Sequence, residues 1–294
     1  MNPDRKRVGF IGVGGIGRPM AVRLVKTGHD VLACDVSNSA LAVFSGLGAS
    51  TTKRPTDCAF CEVVIVMVAN DAQVKAVITG PGGLLEAIDA AHSPMVLIMS
   101  SVLPQTIKDV ASAAVQKGVR VLDAPVSGGS VSAAEGALTI MVGGAESDLD
   151  DARSVLQVLG RNIVHCGALG SGEATKIVNN ILGVTNTLLM AEATKLAVEL
   201  GLDARWLFGV IETSSGRNFA TRSYEVHQSF CRLITRDEQS FKALMDICGK
   251  DLELASTLAK EAGIQMSILQ GIRKAHQEIS CGSSLSAWRS LIDQ

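Results

Sequence analysis

A short apolar run that turns on glycines into a helix constrains this chain more than any other segment. Val8-Gly9-Phe10-Ile11 reads as a strand, Gly12-Val13-Gly14-Gly15-Ile16-Gly17 as a G-x-G-x-x-G turn, and Met20, Ala21, Leu24 and Val25 as the inner face of the helix that follows. Eighteen residues past Gly17, Asp35 closes a second apolar run, Val31-Leu32-Ala33-Cys34. Strand, glycine turn, helix and a downstream acid together form the dinucleotide-binding fingerprint. Gly12 permits the tight turn, Gly14 lets the backbone approach a pyrophosphate, and Gly17 lets helix and strand pack closely. The helix N-terminus offers unpaired N–H groups to the phosphates. Asp35 is placed to accept from the adenosine ribose hydroxyls and to repel a 2′-phosphate, which favours NAD over NADP.

With 294 residues the chain is expected to form two domains, a dinucleotide-binding domain over 1–166 and an all-α domain over 167–294. Its 47% hydrophobic and 19% charged residues fit a globular protein with a large core. A net charge of -2 and 3% aromatic residues give no case for nucleic acid or an anionic membrane. No signal-peptide segment is evident at the N-terminus, and no apolar run approaches the ~20 residues of a membrane span. Seven scattered cysteines (34, 58, 61, 166, 231, 248, 281) read as reduced thiols, which leads us to expect a cytoplasmic protein. Cys58-Ala59-Phe60-Cys61 has no second pair, and the five histidines show no ligand spacing, so no metal site is expected.

Strands are expected at 7–11, 30–34, 63–68, 95–99, 119–122, 138–142 and 162–166, with helices at 15–27, 38–46, 71–77, 104–117 and 147–158 between them. Strands apolar on both faces and separated by helices imply a doubly wound, mostly parallel sheet in an α/β domain, with part of the last edge antiparallel. After Gly167-Ala168-Leu169-Gly170-Ser171-Gly172 a run of nearly thirty residues reads as one long, mostly buried helix. Only helical patterns follow, at 203–212, 221–233, 241–262 and 265–277.

Three further clusters carry chemistry. Asp123-Ala124-Pro125-Val126-Ser127-Gly128-Gly129 follows a strand of the α/β domain, where ligands bind in such sheets, and its Ser127 hydroxyl and glycine amides suit a carboxylate. Lys176 and Asn180 lie four apart on one face of the long helix. A lysine in so apolar a helix is either desolvated, which suits acid–base work, or snorkels to solvent, and the pattern alone leaves both readings open. Lys250-Asp251-Leu252 reads as a solvated helix face.

These four segments occur together in the β-hydroxyacid dehydrogenases, the group containing 3-hydroxyisobutyrate dehydrogenase, L-threonate dehydrogenase and tartronate semialdehyde reductase, and the chain resembles that family from residue 8 to about 290. The resemblance rests on Phe10 to Gly17, Asp123 to Gly129, Gly172-Glu173-Ala174-Thr175-Lys176-Ile177-Val178-Asn179-Asn180, and Lys250-Asp251-Leu252. It implies a Rossmann-like domain followed by an all-helical one, a homodimer or homotetramer, and a small hydroxyacid or semialdehyde substrate. It implies Lys176 as the catalytic lysine, Asn180 as holder of the substrate hydroxyl, and Ser127, Gly128 and Gly129 as the carboxylate anchor. Lys250 takes the position of a lysine at the nicotinamide end, counted with both substrate and cofactor contacts. Val13, Gly15 and Ile16 of the glycine turn, with Val68, Ala69, Gln73, Ser101 and Val102, fall where the family contacts its cofactor. Ile16, Arg23, Ala69 and Val102 depart from the family's usual methionine, asparagine, proline and threonine. Ser214-Ser215-Gly216-Arg217 looks like the 3-hydroxyisobutyrate group, whereas Ala243-Leu244-Met245-Asp246-Ile247 looks like the threonate group, so the substrate stays open. Arg217 and Arg222 are candidates for a second polar substrate group, weighed against solvated loop arginines.

The expected activity is reversible hydride transfer between NAD and a small 3-hydroxy carboxylate. The alternatives are an imine reductase, whose relatives usually lack the lysine, and a non-catalytic NAD-binding interaction module, against which Lys176, Asn180 and Ser127 argue.

Overall fold

The computed structural model describes residues 5–89, 92–280 and 288. It divides into two compact units, with the border after Lys176.

The first unit alternates strands and helices: β1 (Arg7–Ile11), α1 (Gly17–Lys26), β2 (Asp30–Cys34), α2 (Asn38–Gly46), β3 (Ser50–Thr52), β4 (Val63–Val66), α3 (Asp71–Thr79), β5 (Met95–Ile98), α4 (Pro104–Val115), β6 (Arg120–Asp123), β7 (Val126–Ser127), α5 (Gly129–Glu135), β8 (Leu138–Gly143), α6 (Glu146–Leu159) and β9 (Gly160–Gly167). The strands form one sheet in the order β3-β2-β1-β4-β5-β6-β8-β7, with β9 on β8. Pairing is parallel from β3 to β6, β8 runs antiparallel to β6 and β7, and β9 returns parallel to β8.

The unbroken apolar runs of β4 and β5 follow from burial on both faces. Val63, Ile65, Met95 and Leu97 face α1, α2 and α6, while Val64, Val66, Val96 and Ile98 face α3 and α4. Alternate residues of a strand point to opposite faces, so a sheet covered on both sides needs both sets apolar. Local chemistry starts the helices. The Ser37 hydroxyl accepts from Ala40 N–H at α2, the Asn70 side-chain Oδ1 accepts from Gln73 N–H at α3, and Pro104 opens α4. Arg23 and Lys26 sit in the last turn of α1, where a cation complements the helix dipole.

α7 (Ser171–Glu199) begins in this unit and continues through the border. The second unit holds the rest of α7 with α8 (Ala204–Glu212), α9 (Tyr224–Thr235), α10 (Glu238–Glu261) and α11 (Ser267–Ser280). Asp203, Ser223 and Asp237 cap α8, α9 and α10 through their side chains. Met190, Ala204, Phe208 and Tyr224 make a small core, and Phe241 packs edge-on against Trp288.

Three expectations change. β3, β7 and α5 have no counterpart in the periodicity, because two- and three-residue strands and a helix opened by glycines carry no repeat to detect. α7 is not mostly buried: Val178, Leu182, Leu189 and Leu196 are each more than half exposed. Apolar spacing marks the faces of a helix that favour burial, and the single chain covers only some of them. α7 also contains a stretch of mean hydropathy 1.2, long and apolar enough by length and composition alone to cross a membrane, contrary to the expectation that no run approaches that. Asn179, Asn180 and Asn186 lie within that helix, and Glu173 and Lys176 lie near its start.

The described cysteines are free thiols; Cys281 lies outside the described residues. Cys58 and Cys61 pack under Gly9 in β1 as small apolar groups. A hydrogen bond with Cys34 and burial push the Cys58 thiol up, and burial pushes Cys61 up to about 11, so neither is a ready thiolate. No group of histidine, cysteine or acidic side chains among the described residues is arranged to hold a metal.

A Cβ at Gly17 would drive into the carbonyl oxygen of Gly12. Gly17→Ala is therefore expected to destabilise the first unit by about 1–3 kcal/mol, through overpacking against backbone that has no room to move. Urea unfolding followed by circular dichroism measures the loss.

Candidate active site

The strand order reverses between β1 and β4, and ligands of open α/β sheets bind outside the strand C-termini at such a point. The glycine turn leaves β1 there. Gly12 has a φ of 93°, its N–H donates to Cys34 O at 2.8 Å, and a Cβ on it would strike the carbonyl of Met67 after β4. Only glycine meets both conditions. Gly14 and Gly15 are exposed, with no atom within 4 Å of where a Cβ would stand.

Asp35, just past β2, is tied to this turn. Its Oδ2 accepts from Val13 N–H at 2.9 Å and its Oδ1 from Ser37 N–H at 2.9 Å. A carboxylate has lone pairs left after two such bonds, and Asp35 stays partly exposed, so ribose hydroxyls can still be accepted. The open glycine backbone beside an anchored carboxylate fits a dinucleotide. Ile16 flanks the turn before α1.

The loops after β4 and β5 complete this side. Val68 N–H donates to Ser100 Oγ at 2.8 Å, and Ala69 N–H donates to Gln73 Oε1 at 2.9 Å. Ser101 is partly exposed. Val102 is fully buried in the core, and its N–H donates to Glu173 Oε2 at 3.2 Å, so neither its side chain nor its amide faces outward. Ser127 ends β7, and the exposed Gly128 and Gly129, with φ of 136° and 73°, turn the chain into α5.

α7 starts against the same sheet through a long-range cap. Asp123, the last residue of β6 and fully buried, accepts from Gly170 N–H at 2.7 Å and from Glu173 N–H at 2.8 Å. Side chains usually cap from within the chain next to the helix; here a carboxylate 47 residues upstream of Gly170 does so. Burial holds the Asp123 carboxyl above its ordinary value, against the lowering effect of the backbone N–H groups. Lys176 follows within the second turn and is only 8% exposed, which settles the snorkelling alternative against solvent.

In the helical unit, Asn180 Nδ2 donates to Asp251 Oδ2 at 2.7 Å, and Asp251 Oδ1 lies 3.7 Å from Lys250 Nζ. An ionised carboxylate only accepts, so the Asn180 amide nitrogen must face Asp251, while its Oδ1 accepts from Asn179 Nδ2 at 3.2 Å. Asp251 is buried, so Lys250-Asp251 is not the solvated face expected. The signal was present: Asp251 shares the helical spacing of Cys248, Leu252 and Ala255, which are all buried. Arg217 is exposed and lies 3.5 Å from Glu212, and Arg222 is exposed on the segment before α9. Asp123 and Glu173 entered the sequence reading only as members of motifs.

Residues 7–167 match the NAD-binding domain of 6-phosphogluconate dehydrogenase, and residues 170–286 match the NAD-binding domain of NADP-dependent 3-hydroxyisobutyrate dehydrogenase. The chain is 36% identical over 261 residues to 2-(hydroxymethyl)glutarate dehydrogenase of Eubacterium barkeri, covering 88% of this chain and 84% of the relative. It is 38% identical over 220 residues to the NAD-dependent L-serine dehydrogenase of Pseudomonas aeruginosa, covering 74% and 73%. Among solved structures, Mycobacterium tuberculosis 3-hydroxyisobutyrate dehydrogenase with L-serine aligns with a TM-score of 0.80 at 28% identity, over 98% of this chain and 99% of that one. An imine reductase from Myxococcus stipitatus shares the fold at a TM-score of 0.61 and 14% identity.

Asp123→Ala leaves the Gly170 and Glu173 amides without their acceptor, and each buried donor so orphaned costs about 1–3 kcal/mol. The variant is expected to lose about 2–4 kcal/mol in urea unfolding, and Asp123→Asn, which keeps one accepting oxygen, to lose less. With a nicotinamide-dinucleotide turn at the sheet's switch point, a capped helix bearing Lys176, and two consecutive domain matches that span nearly its whole length, the chain belongs to the β-hydroxyacid dehydrogenases and is an NAD-dependent member of that family.

Proposed function

We propose that the protein reversibly oxidises the primary hydroxyl of a small 2-substituted 3-hydroxypropanoate, with Lys176 as the general acid–base. The observation that carries this reading is Lys176 itself: a lysine 8% exposed, in the second turn of a helix, with Asn180 one turn further along the same face. The substrate class is supported by the relatives. 3-Hydroxyisobutyrate, 2-(hydroxymethyl)glutarate and L-serine all carry a CH2OH on the carbon that bears the carboxylate. They differ in the third substituent, a methyl, a carboxyethyl or an ammonium group.

In this reading Ser127 Oγ and the Gly128 and Gly129 amides take the substrate carboxylate. Asn180 steadies the hydroxyl, its amide held by Asp251. Neutral Lys176 Nζ removes the hydroxyl proton and, in the reverse direction, its ammonium returns it. NAD, held by the glycine turn, would supply the redox chemistry as hydride acceptor for the substrate carbon. The products are a 2-substituted 3-oxopropanoate and NADH. Lys250, beside Asp251, is assigned to the nicotinamide end.

We also infer a homo-oligomer, supported by the exposed apolar side chains Val178, Leu182, Leu189 and Leu196 spaced four and seven apart along α7.

Lys176→Ala is expected to lower kcat about 10²–10⁴-fold while NADH binding, read by fluorescence titration, stays intact. Near wild-type turnover in that variant overturns the assignment. Asp35 is expected to give a kcat/KM for NAD at least about tenfold above that for NADP, with Asp35→Ala narrowing the gap. Assaying 3-hydroxyisobutyrate, 2-(hydroxymethyl)glutarate and L-serine side by side at 340 nm tests the substrate class.

A further inference from the structure

Glu173 stands one helical turn before Lys176 and is fully buried. Residues three apart on a helix are neighbours, with Cβ atoms about 5–6 Å apart. Its backbone N–H is held by Asp123 at 2.8 Å, and its Oε2 accepts from the N–H of Val102, in the loop after β5, at 3.2 Å. A buried carboxylate is stable as an anion only where a compensating charge or several hydrogen bonds offset its desolvation, and a buried lysine is stable as a cation only under the same condition. The Val102 amide is neutral and does not supply that charge.

We propose that Glu173 is the charge partner of Lys176: it sets the protonation state of the catalytic amine and ties it to the loop after β5. The inference rests on the acid–base reading of Lys176 given above. A negative charge beside the amine stabilises the ammonium form. Glu173 thereby opposes the burial that favours the neutral amine, and it keeps Lys176 able both to take and to return a proton near neutral pH. Among the described residues, charged groups near this turn include Asp123 from β6, Lys108 of α4, which reaches Gly170, and Asp71 of α3, which accepts from Leu103 N–H and Thr106 Oγ1 at the start of α4. On α7 itself the flanking polar groups, Asn179 and Asn180, are neutral.

Glu173→Gln removes the charge and keeps an oxygen for the Val102 amide, so a purely structural role would survive it. The Nζ titration of Lys176 is read by NMR in protein labelled at lysine, with Lys176→Met identifying the signal. In Glu173→Gln the Lys176 midpoint is expected to fall by about one pH unit or more. The limb of kcat/KM for alcohol oxidation that needs the neutral amine should move to lower pH by the same amount. An unchanged Lys176 midpoint overturns the proposal. Coupling between two sites is mutual, so the Glu173 carboxyl, followed by its own carbon signal, should titrate at higher pH in Lys176→Met than in the wild type. That measurement decides the matter if Glu173→Gln does not fold, and an unmoved Glu173 overturns the proposal equally. Failure of the acid–base reading looks different: Lys176→Ala would keep its turnover while the two groups still shifted each other's titration.

Discussion

One buried carboxylate organises the start of the long helix α7. Asp123 closes strand β6 and accepts from the amides of Gly170 and Glu173 at the start of α7. The start of α7, with Lys176 in its second turn, is thereby fixed to the same sheet whose opposite half carries the glycine turn. The arrangement costs desolvation, as the raised Asp123 carboxyl records, and several backbone N–H groups offset that cost. Glycine at 143 and 172 leaves the carboxylate its space, since a Cβ at either would meet its oxygens.

Asp35 does the corresponding work on the nucleotide side. By accepting from Val13 and Ser37 it joins the end of β2 to the turn after β1 and to the start of α2. The acid of the glycine-turn fingerprint is thus also a structural clamp. In the helical unit Asp251 plays a third version of the part, orienting Asn180 by accepting its amide and lying beside Lys250. In each case an acid that accepts hydrogen bonds fixes a neighbouring segment of the candidate site.

Much of this was legible in the residues. The strands β1, β2, β4, β5 and β8 were readable because burial on both faces demands continuous apolar runs, and a helix was expected at 38–46, where α2 stands. The candidate site segments were readable as motifs, since glycine turns and short polar clusters in apolar surroundings are hard to place without a ligand. The buried acids were harder to see. Asp251 follows Lys250 directly in a helix, and a linear pattern makes such a pair look solvated, while Glu173 entered only as a member of a motif. Only the spacing of Cys248, Leu252 and Ala255 hinted that Asp251 faces inward.

Local chemistry alone dictated the glycine turn, the alternation of strand and helix, and the run of helices after Gly167, because backbone torsions and side-chain periodicity act over a few residues. The packed molecule settled the burial of Lys176, the capping of α7 from 47 residues away, the partner of Asn180 and the exposed stripe of α7. These depend on which surfaces meet after the chain has crossed the sheet. Hydrogen bonds between residues distant along the chain leave no periodic trace in it.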